Sequence, residues 1–392
     1  MDNLELVNKK VDCCGCGHCS IKCPKNAIEM KEDEYGYVYP YIHKDICINC
    51  GVCKRVCQYN KQRKKCDFDK SAYVAVSKDE QILTTTASGG VFTSIAKSFI
   101  EKGGIVYGCA LLNEKEKFIV KHIKLETIDE LEKIKGSKYV QSDITSVYEE
   151  IKEELKKGNK VLFSGTPCQV AAIKEYTNDD NLFTIDIICH GVPNNKMLND
   201  YINYIENKEK IRIKDFKFRD KSKGWGLNYS YTYKDSDNHK YKKKVKPSFE
   251  SSYYQLFLDS YTYRDNCYSC KYANENRVGD MTIGDYWGIE IEHKELINKN
   301  IYPKKGVSCV ILNSPKGELM FEKYTNDVNS YESKFEKIKI HNHQLNNPSF
   351  KPKDRQELLE LYKNYGFSAV EKFYDRKNFI KNSIKRVLYK LK

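Results

Sequence analysis

Residues 12–24 read DCCGCGHCSIKCP, and residues 46–58 read ICINCGVCKRVCQ. Both segments contain the spacing Cys-x2-Cys-x2-Cys-x3-Cys, and the eight cysteines are Cys13, Cys16, Cys19, Cys23, Cys47, Cys50, Cys53 and Cys57. Cysteine accounts for 16 of the 392 residues. Three further cysteines at fixed offsets from a first one therefore arise by chance roughly once in 15,000 trials. Two such runs exclude coincidence and indicate a small amino-terminal domain organised by its cysteines.

This spacing is typical of [4Fe-4S] clusters, because three closely spaced thiolates bind one cluster and the fourth cysteine of the run binds the other. The first cluster is then assigned to Cys13, Cys16, Cys19 and Cys57, and the second to Cys47, Cys50, Cys53 and Cys23. Disulfides belong to secreted chains, whereas residues 1–10 lack the apolar stretch of a signal peptide. Zinc sites usually pair two Cys-x2-Cys knuckles across a longer gap. We therefore predict two iron–sulfur clusters, although Gln58 stands where the first run has Pro24.

Length and charge limit the class of protein. A chain of 392 residues is too long for a ferredoxin alone and suggests two or three domains. No uncharged apolar run reaches the roughly 18 residues that a membrane span needs. The net charge of +13 is dispersed, and no zinc-finger, RNA-recognition or basic-region motif accompanies it. We therefore expect a cytoplasmic protein that does not bind nucleic acid.

Hydrophobic periodicity predicts the elements that follow the cysteine runs. A hairpin around residues 35–40 joins the ferredoxin halves, and residues 58–70 form a polar linker. Strands and helices then alternate, with strands at 72–76, 105–111, 160–164 and 184–189 and helices at 90–102, 127–135 and 146–157. This alternation is typical of an α/β domain. Beyond residue 210 the period changes to two, which predicts an antiparallel hairpin of residues 211–218 and 229–233.

Four further cysteines predict a third site. Cys168 and Cys189 each lie at the end of a predicted strand. If these strands are parallel, both thiols lie at the carboxyl edge of the sheet, where open α/β sheets bind ligands. Cys267 and Cys270 add a pair with chelating spacing. The four suggest a third [4Fe-4S] cluster, with a zinc site or ordinary buried thiols as alternatives. The remaining cysteines are interpreted as structural: Cys14, Cys66, Cys109 and Cys309.

Several motifs in a fixed order resemble a known family. After the double ferredoxin these are Ala87-Ser-Gly-Gly-Val-Phe92, Lys135-Gly-Ser-Lys-Tyr-Val-Gln-Ser142, Gly165-Thr-Pro-Cys-Gln169, Cys189-His-Gly191, Cys267-x2-Cys270 and Asp280-Met-Thr-Ile-Gly-Asp-Tyr-Trp-Gly288. This order is similar to that of the beta subunits of coenzyme F-420-reducing hydrogenases and dehydrogenases. The family's members carry FAD and at least one [4Fe-4S] cluster. The resemblance therefore implies FAD, supports the third cluster, and implies electron exchange with a deazaflavin or another two-electron carrier.

The resemblance directs attention to two candidate FAD-binding segments. Ser88, Gly89 and Gly90 open a predicted helix, so backbone N–H groups could face a pyrophosphate at its positive end. A simple helix cap at Ser88 is the alternative. The second segment could supply phosphate charge and a ring-stacking partner through Lys135, Ser137, Lys138 and Tyr139. Its lysines could equally belong to a solvated face.

The predicted fold class is α+β multidomain, with a small bacterial-type ferredoxin fold followed by an α/β to α+β flavin- and cluster-binding domain. The expected divisions are a double ferredoxin in residues 1–62, a flavin-binding amino-terminal region in 71–155, a third-cluster and substrate region in 156–320, and a helical basic tail in 321–392. No glycine-rich G-x-G-x-x-G turn follows a strand, so an ordinary nicotinamide site is not indicated.

These features predict an iron–sulfur flavoprotein oxidoreductase that passes electrons between clusters and, through FAD, a two-electron donor or acceptor. Its partner is a redox protein or a small-molecule hydride carrier, with coenzyme F-420 as one candidate substrate. His190 is the candidate proton donor, or else a loop histidine packed against the sheet. The rival hypothesis is a non-catalytic electron-transfer module that feeds a separate reductase.

The carboxyl end is basic and amphipathic. Residues 376–392 contain seven basic residues and no acidic one, and apolar residues recur there at helical spacing: Ile380, Ile384, Val387 and Leu391. A helix of this kind can rest on an anionic membrane surface. The alternative is a terminal helix that packs on its own domain.

Overall fold

The computed structural model describes residues 10–63, 68–234 and 240–390, with the backbone alone for residues 379–390. Cys66 lies outside these ranges. The strands are β1 (Ile28–Glu32), β2 (Val38–Ile42), β3 (Ala72–Ser77), β4 (Ile105–Glu114), β5 (Lys117–Leu125), β6 (Val161–Gly165), β7 (Leu182–Ile187), β8 (Arg212–Lys217), β9 (Asn228–Lys234), β10 (Tyr241–Pro247), β11 (Met281–Asp285), β12 (Ser308–Leu312) and β13 (Val328–Ser333). The α-helices are α1 (His18–Ile21), α2 (Val52–Val56), α3 (Glu80–Thr85), α4 (Val91–Glu101), α5 (Val147–Lys156), α6 (Pro167–Tyr176), α7 (Asn195–Glu209), α8 (Ser252–Leu258), α9 (Ile289–Glu292), α10 (Pro315–Tyr324), α11 (Phe335–His341), α12 (Arg355–Tyr365) and α13 (Phe367–Lys390).

The amino-terminal segment folds as a ferredoxin-type unit. The predicted hairpin is confirmed, since β1 and β2 pair antiparallel with Ile28 opposite Ile42. Each cysteine run leads into a short helix, α1 or α2, through a glycine with positive φ: Gly17 at 75° and Gly51 at 70°. Glycine adopts this conformation without the steric cost that a Cβ atom adds.

The rest of the chain is built on one large mixed sheet, in the order β13-β3-β12-β11-β7-β6-β4-β5. The central pairs β4–β6, β6–β7 and β7–β11 are parallel. The pairs towards both edges are antiparallel. The predicted parallel pairing of β6 with β7 is therefore confirmed, and both strands are nearly continuous apolar runs, as strands covered on both faces require.

A second, antiparallel sheet has the order β10-β9-β8. The predicted hairpin corresponds to β8 and β9. Sequence reasoning missed β10, because its YKKKVKP sequence has little apolar alternation. Lysines suit an edge strand, where they hinder pairing with another chain.

The helical pattern predicted over residues 127–135 is wrong in length and type, because only Asp129–Lys133 forms a helix there, and it is 3₁₀. Gly136, with φ of 77°, stands directly before the segment that contains Ser137 and Lys138. The chain is thereby turned towards the sheet edge. A longer α-helix would occupy the place of this turn.

The carboxyl region is more than the expected helical tail. Strand β13 pairs with β3 along its length, from Val328 opposite Ser77 to Ser333 opposite Ala72. The expected divisions near residues 155 and 320 thus both fall within one sheet. Helix α12 and the first part of α13 pack on a core with β8, β9 and α7, through Leu358, Tyr362, Val370 and Phe373. The apolar positions named beyond residue 379 lie outside the described side chains. No described helix has both the length and the apolar character needed to cross a membrane.

Candidate redox site

A cavity of about 440 Å³ lies at the carboxyl edge of the parallel strands. Its wall comes from the ends of β6 and β7, the first turn of α4, residues 136–142 and residues 266–273. The volume falls within the roughly 300–1,000 Å³ of small-molecule and cofactor sites. The position agrees with the rule that open α/β sheets bind ligands beyond the carboxyl ends of their strands.

The four predicted third-site cysteines all line one end of this cavity. Cys168 lies in the first turn of α6, where Thr166 closes a capping box with Gln169. Burial raises the pKa of Cys270 to about 11, and the nearby Cys168 adds to the shift. Burial also raises the pKa of Cys189 and of Cys267, and in each case neighbouring thiols of the same group contribute. The four sulfurs are therefore close neighbours in a largely desolvated environment.

The donor set fits a soft, highly charged metal centre. Four neighbouring, half-buried thiols do not all ionise readily unless a cation compensates their charge, and metal binding supplies that compensation. Thiolate-only sets select zinc or iron–sulfur centres among biological metals. Among the residues that the structure describes, no three His, Cys, Asp or Glu side chains are arranged to hold one metal ion.

The ferredoxin cysteines form two groups, and the last cysteine of each run has neighbours in the other run. Burial raises the pKa of Cys19 well above its usual range, and four thiols add to this shift: Cys16, Cys13, Cys57 and, last, Cys53 of the second run. Burial likewise raises the pKa of Cys53, and here the neighbours are Cys23 and Cys47. Cys57 thus has neighbours in the first run, and Cys23 is a neighbour of Cys53 in the second.

Cys14 lies between the first ferredoxin group and the third site. It is buried, with 7% of its surface exposed. Its thiol lies within hydrogen-bonding reach of Cys16 and Cys168, and it lowers the pKa of Cys16 to about 7. The interpretation of Cys14 as an unpatterned structural cysteine missed this position. The only feature of the sequence that could have indicated this position is that Cys14 lies next to Cys13 and close to Cys16.

The first residue of the expected linker at residues 58–70 is buried and packed against the rest of the protein. Gln58 is buried, donates from Nε2 to the Cys168 carbonyl oxygen at 2.8 Å, and lies 3.4 Å from the Cys14 sulfur. The Tyr272 hydroxyl donates to Gln58 Oε1 at 2.8 Å. A polar residue looks like linker in sequence, but here its amide satisfies buried partners. Residues 64–67 lie outside the described ranges.

Arg264 is the main buried cation at the junction between ferredoxin and sheet. Its exposed fraction is 0%. It donates to the carbonyl oxygens of Cys13 at 2.7 Å and Val38 at 2.5 Å, and to Gln141 Oε1 at 3.1 Å. A Cβ atom at Gly15 would lie 2.9 Å from the guanidinium. Nothing in the sequence around Arg264 indicated this contact, because its partners are distant along the chain.

The other end of the cavity is organised by Arg219. This buried side chain donates from Nη1 to the Tyr139 hydroxyl at 3.2 Å and to Asp285 Oδ2 at 3.0 Å. Asp285 also accepts from Ser88 Oγ and, at 3.2 Å, from Trp225 Nε1. Arg219 Nε and Nη2 are buried and have no hydrogen-bond partner within the described part of the chain. Both atoms are enclosed by protein, so Arg219 acts on the cavity through its charge and through Tyr139 and Asp285, which its Nη1 holds in the wall.

The cavity includes most, but not all, of the predicted flavin residues. Five of them line it: Ser88, Gly90, Ser137, Lys138 and Tyr139. Gly89 is packed instead against β3, where an added Cβ atom would lie 2.4 Å from the Ala75 carbonyl oxygen. Lys135 pairs with Glu132 and does not line the cavity.

Two of the lining side chains have environments that bear on ligand binding. Lys138 Nζ donates to the Lys135 and Gly136 carbonyl oxygens at 2.9 and 3.2 Å. Burial lowers the pKa of Lys138 to about 8. The Tyr139 ring is stacked on Phe257 at a centroid distance of 4.4 Å. One face of Tyr139 is therefore already covered.

His190 lines the cavity next to Cys189. Partial desolvation by the surrounding residues lowers the pKa of His190, although the residue keeps exposed surface. Its carbonyl oxygen accepts from Ser349 Oγ at 2.5 Å, which fixes the loop that follows β7. A neutral imidazole can accept or donate a proton at the cavity wall.

Comparison with known proteins identifies relatives of both parts of the chain. A component of the F420H2 dehydrogenase of Methanosarcina mazei is 23% identical over 224 residues, which are 54% of this chain and 62% of that protein. An uncharacterised ferredoxin of Methanocaldococcus jannaschii is 35% identical over 57 residues, 14% of this chain and 73% of its own. A chain of the F420-reducing [NiFe] hydrogenase complex of Methanosarcina barkeri aligns with a TM-score of 0.46 and 16% identity, covering 76% of this chain and 94% of that one.

Family models match three consecutive segments. A 4Fe-4S dicluster domain matches residues 12–61. The amino-terminal model of the beta subunit of coenzyme F420 hydrogenase/dehydrogenase matches residues 72–149, and its carboxyl-terminal model matches residues 158–337. The last two models together span most of the large sheet and the cavity. The chain therefore belongs, as an iron–sulfur member, to the family of coenzyme F420 hydrogenase/dehydrogenase beta subunits.

Proposed function

We propose that the chain is an iron–sulfur flavoprotein oxidoreductase that transfers electrons between [4Fe-4S] clusters and a two-electron carrier. The observation that carries the proposal is one cavity that has four half-buried cysteines at one end and the buried guanidinium of Arg219 at the other. One end suits a one-electron centre and the other an organic cofactor. The amino-terminal cysteine groups lie next to the four-cysteine end, through Cys14 and Gln58.

The proposed cluster ligands are the eight cysteines of the two ferredoxin runs and the four cysteines that line the cavity. Cys13, Cys16, Cys19 and Cys57 would hold the first cluster, Cys47, Cys50, Cys53 and Cys23 the second, and Cys168, Cys189, Cys267 and Cys270 the third. Clusters of this kind exchange single electrons. Two side chains join the ferredoxin to the rest of the chain: Arg264 bonds to Cys13 and to Gln141, and Gln58 bonds to Cys168.

FAD is proposed for the Arg219 end. When bound, a flavin exchanges two electrons with a hydride carrier and single electrons with a cluster. Arg219 places a buried positive charge beside the cavity and holds Tyr139 and Asp285 in its wall, and Lys138 adds a positive charge at the same wall. The first turn of α4 brings Val91, Phe92 and Thr93 to the cavity, with the partial positive charge of the helix amino terminus. Phe257 holds the Tyr139 ring in place.

The two-electron carrier is proposed to be a deazaflavin, coenzyme F420, or another hydride carrier with a flat heteroaromatic ring. The name of the Methanosarcina mazei relative, which includes F420H2 dehydrogenase, supports the first choice. Trp287 lines the cavity and is stacked on Trp225 at 5.0 Å with an interplanar angle of 9°. This pair offers a flat apolar surface at the cavity wall. His190 could move a proton there.

Counting cofactors tests the proposal. Protein purified without oxygen is expected to contain about twelve iron atoms and about one FAD per chain. The Cys168→Ser variant is expected to contain about eight iron atoms, because only the third cluster is lost. Chemical iron analysis, flavin fluorescence after denaturation and electron paramagnetic resonance measure these quantities.

The matched control is Cys309→Ala, since Cys309 is a fully buried cysteine that does not line the cavity. It should keep the full iron content. Protein with clusters but no flavin would overturn the flavoprotein proposal and favour an electron-transfer module without its own catalysis.

The affinity of the apoprotein for FAD is expected to fall as pH rises through about 8. Lys138 has a pKa lowered to about 8 by burial, so its charge is present below this pH and lost above it. A bound phosphate or carbonyl oxygen favours the charged form, so each pH unit above the pKa should weaken binding by up to about tenfold. Isothermal titration calorimetry at pH values on both sides of this pKa, from about 7 to about 9.5, measures this effect.

The Lys138→Met variant tests whether Lys138 causes this pH dependence. Burial also lowers the pKa of Lys221 to about 8, but its ammonium donates to the carbonyl oxygens of Leu83, Ser88 and Lys305 and does not line the cavity. If Lys138 is responsible, the variant binds FAD more weakly at pH 7 and loses the pH dependence. A variant with unchanged pH dependence would refute the assignment.

A further inference from the structure

The two ferredoxin cysteine groups differ in their distance from solvent. Arg264, Tyr148 and Gln58 cover the first group on its sheet side. The second group lies at the surface, because Cys50 is exposed and so is most of the loop that contains it. This loop also exposes Ile46 and Ile48, with 46% and 58% of their surfaces accessible.

The loop around the second group is held in a defined shape. Asn49 and Gly51 have positive φ values of 51° and 70°. Arg55 donates from Nη1 to the Cys50 carbonyl oxygen at 3.0 Å. These features keep Ile48 outward between Cys47 and Cys50. Exposed apolar side chains on a shaped loop are typical of an interaction surface when they lie together.

The charges around this loop are mainly positive. Four basic residues flank it and are exposed: Lys25, Lys44, Lys54 and Arg55. Lys25 lies two residues after Cys23, and Cys23 is a neighbour of Cys53. Asp45 is the one acidic residue within residues 43–57. A positive rim attracts an acidic partner over several ångströms and orients it.

We infer that residues 44–50, with Lys25, Lys54 and Arg55, form the docking surface for an acidic one-electron carrier protein. The inference rests on the proposed function, because it takes the second cysteine group as a cluster. In the exchange one electron passes between the carrier and that cluster. One centre is oxidised and the other reduced by one electron, and no bond forms or breaks. Contacts of this kind are small and short-lived, with buried areas below about 1,200 Å².

The apolar centre and the basic rim have separate tasks. Ile46 and Ile48 exclude water where the two centres approach. Lys44 and Lys54 raise the association rate by attraction at a distance, so their effect declines as salt is added. A small hydride carrier has no use for such a surface, since a single-electron cluster cannot accept a hydride. This end of the chain therefore serves a protein, and the cavity end serves a small molecule.

Binding and transfer can be measured separately on the holoprotein. The probe for binding is a plant-type [2Fe-2S] ferredoxin substituted with gallium, which is acidic and redox-inactive. The probe for transfer is the same ferredoxin in its reduced iron form, with reduced methyl viologen as a small donor that needs no docking. The test variants are Lys44→Glu/Lys54→Glu and Ile48→Glu. The controls are Lys323→Glu and Ile340→Glu, whose original residues are exposed and lie outside the ferredoxin.

We expect both test variants to weaken binding and to slow reduction by ferredoxin by about tenfold or more, with reduction by viologen and iron content unchanged. The controls should match the wild type. For the wild type, binding of the gallium form should weaken as salt increases. Equal binding by the test variants, or tighter binding of a basic carrier such as a small cytochrome c, would overturn the inference. Absence of iron from the wild type would instead refute the proposed function.

Discussion

The Arg264→Met variant is expected to lose about 3 kcal/mol of unfolding free energy and to shift the reduction potential of the neighbouring clusters to more negative values. Three buried acceptors lose their donor: Cys13 O, Val38 O and Gln141 Oε1. Each unsatisfied buried group costs about 1–3 kcal/mol. A buried cation also stabilises the reduced, more negative form of a cluster, so its removal disfavours reduction.

Arg264→Lys separates the two effects. It keeps the positive charge but cannot reproduce the planar set of donors. We expect it to retain most of the reduction potential while losing part of the stability. Arg212→Met is a matched arginine control, because 64% of that side chain is exposed. Anaerobic unfolding and a redox titration followed by electron paramagnetic resonance provide the two measurements. Unchanged potentials in Arg264→Met would contradict the electrostatic role.

The Arg219→Met variant is expected to lose FAD while it retains iron. A buried positive charge beside the cavity disappears, and with it the hydrogen bonds that hold Tyr139 and Asp285 in the cavity wall. Hydrogen bonds to charged groups contribute about 1.5–3 kcal/mol each. The affinity for FAD should therefore fall by about 100-fold or more. The ratio of flavin to protein after gel filtration, together with equilibrium titration of the apoprotein, measures this loss. Circular dichroism checks the fold, since Asp285 also loses a partner.

Arg219→Lys should recover part of the affinity because the charge remains, although the fork of donors is lost. The Arg212→Met control should bind FAD as the wild type does. Retention of FAD by Arg219→Met would show that Arg219 does not contribute to flavin binding. Loss of iron together with flavin would indicate a general disturbance of the cavity.

The separation in sequence between residues that are in contact explains which parts of the site were predictable. The ferredoxin cysteines are closely spaced within each run, so their grouping follows from spacing alone. Cys168 and Cys189 were found because parallel strands end at a common edge, and β6 and β7 are indeed parallel. Arg264 and Gln58 gave no such signal, because each contacts residues far away in sequence.

Local composition explains the errors in the fold. The lysines of β10 obscure an edge strand, and the polar Gln58 resembles a linker although its amide bonds inside the protein. The pairing of β13 with β3, which are about 250 positions apart, was not predicted from the sequence. Such long-range pairing depends on the complete sheet and not on the pattern within either strand.

The contact of Gln58 with Cys168 has a kinetic consequence. A ferredoxin on a free tether would have to diffuse to its acceptor before each transfer, and solvent viscosity would slow it. Here the Cys168 carbonyl in the first turn of α6 accepts a hydrogen bond from the Gln58 side-chain amide, and Arg63 adds a hydrogen bond to the Lys271 carbonyl oxygen at 3.0 Å. Internal transfer therefore involves no search. Crowded or viscous surroundings should affect only the arrival and departure of external carriers.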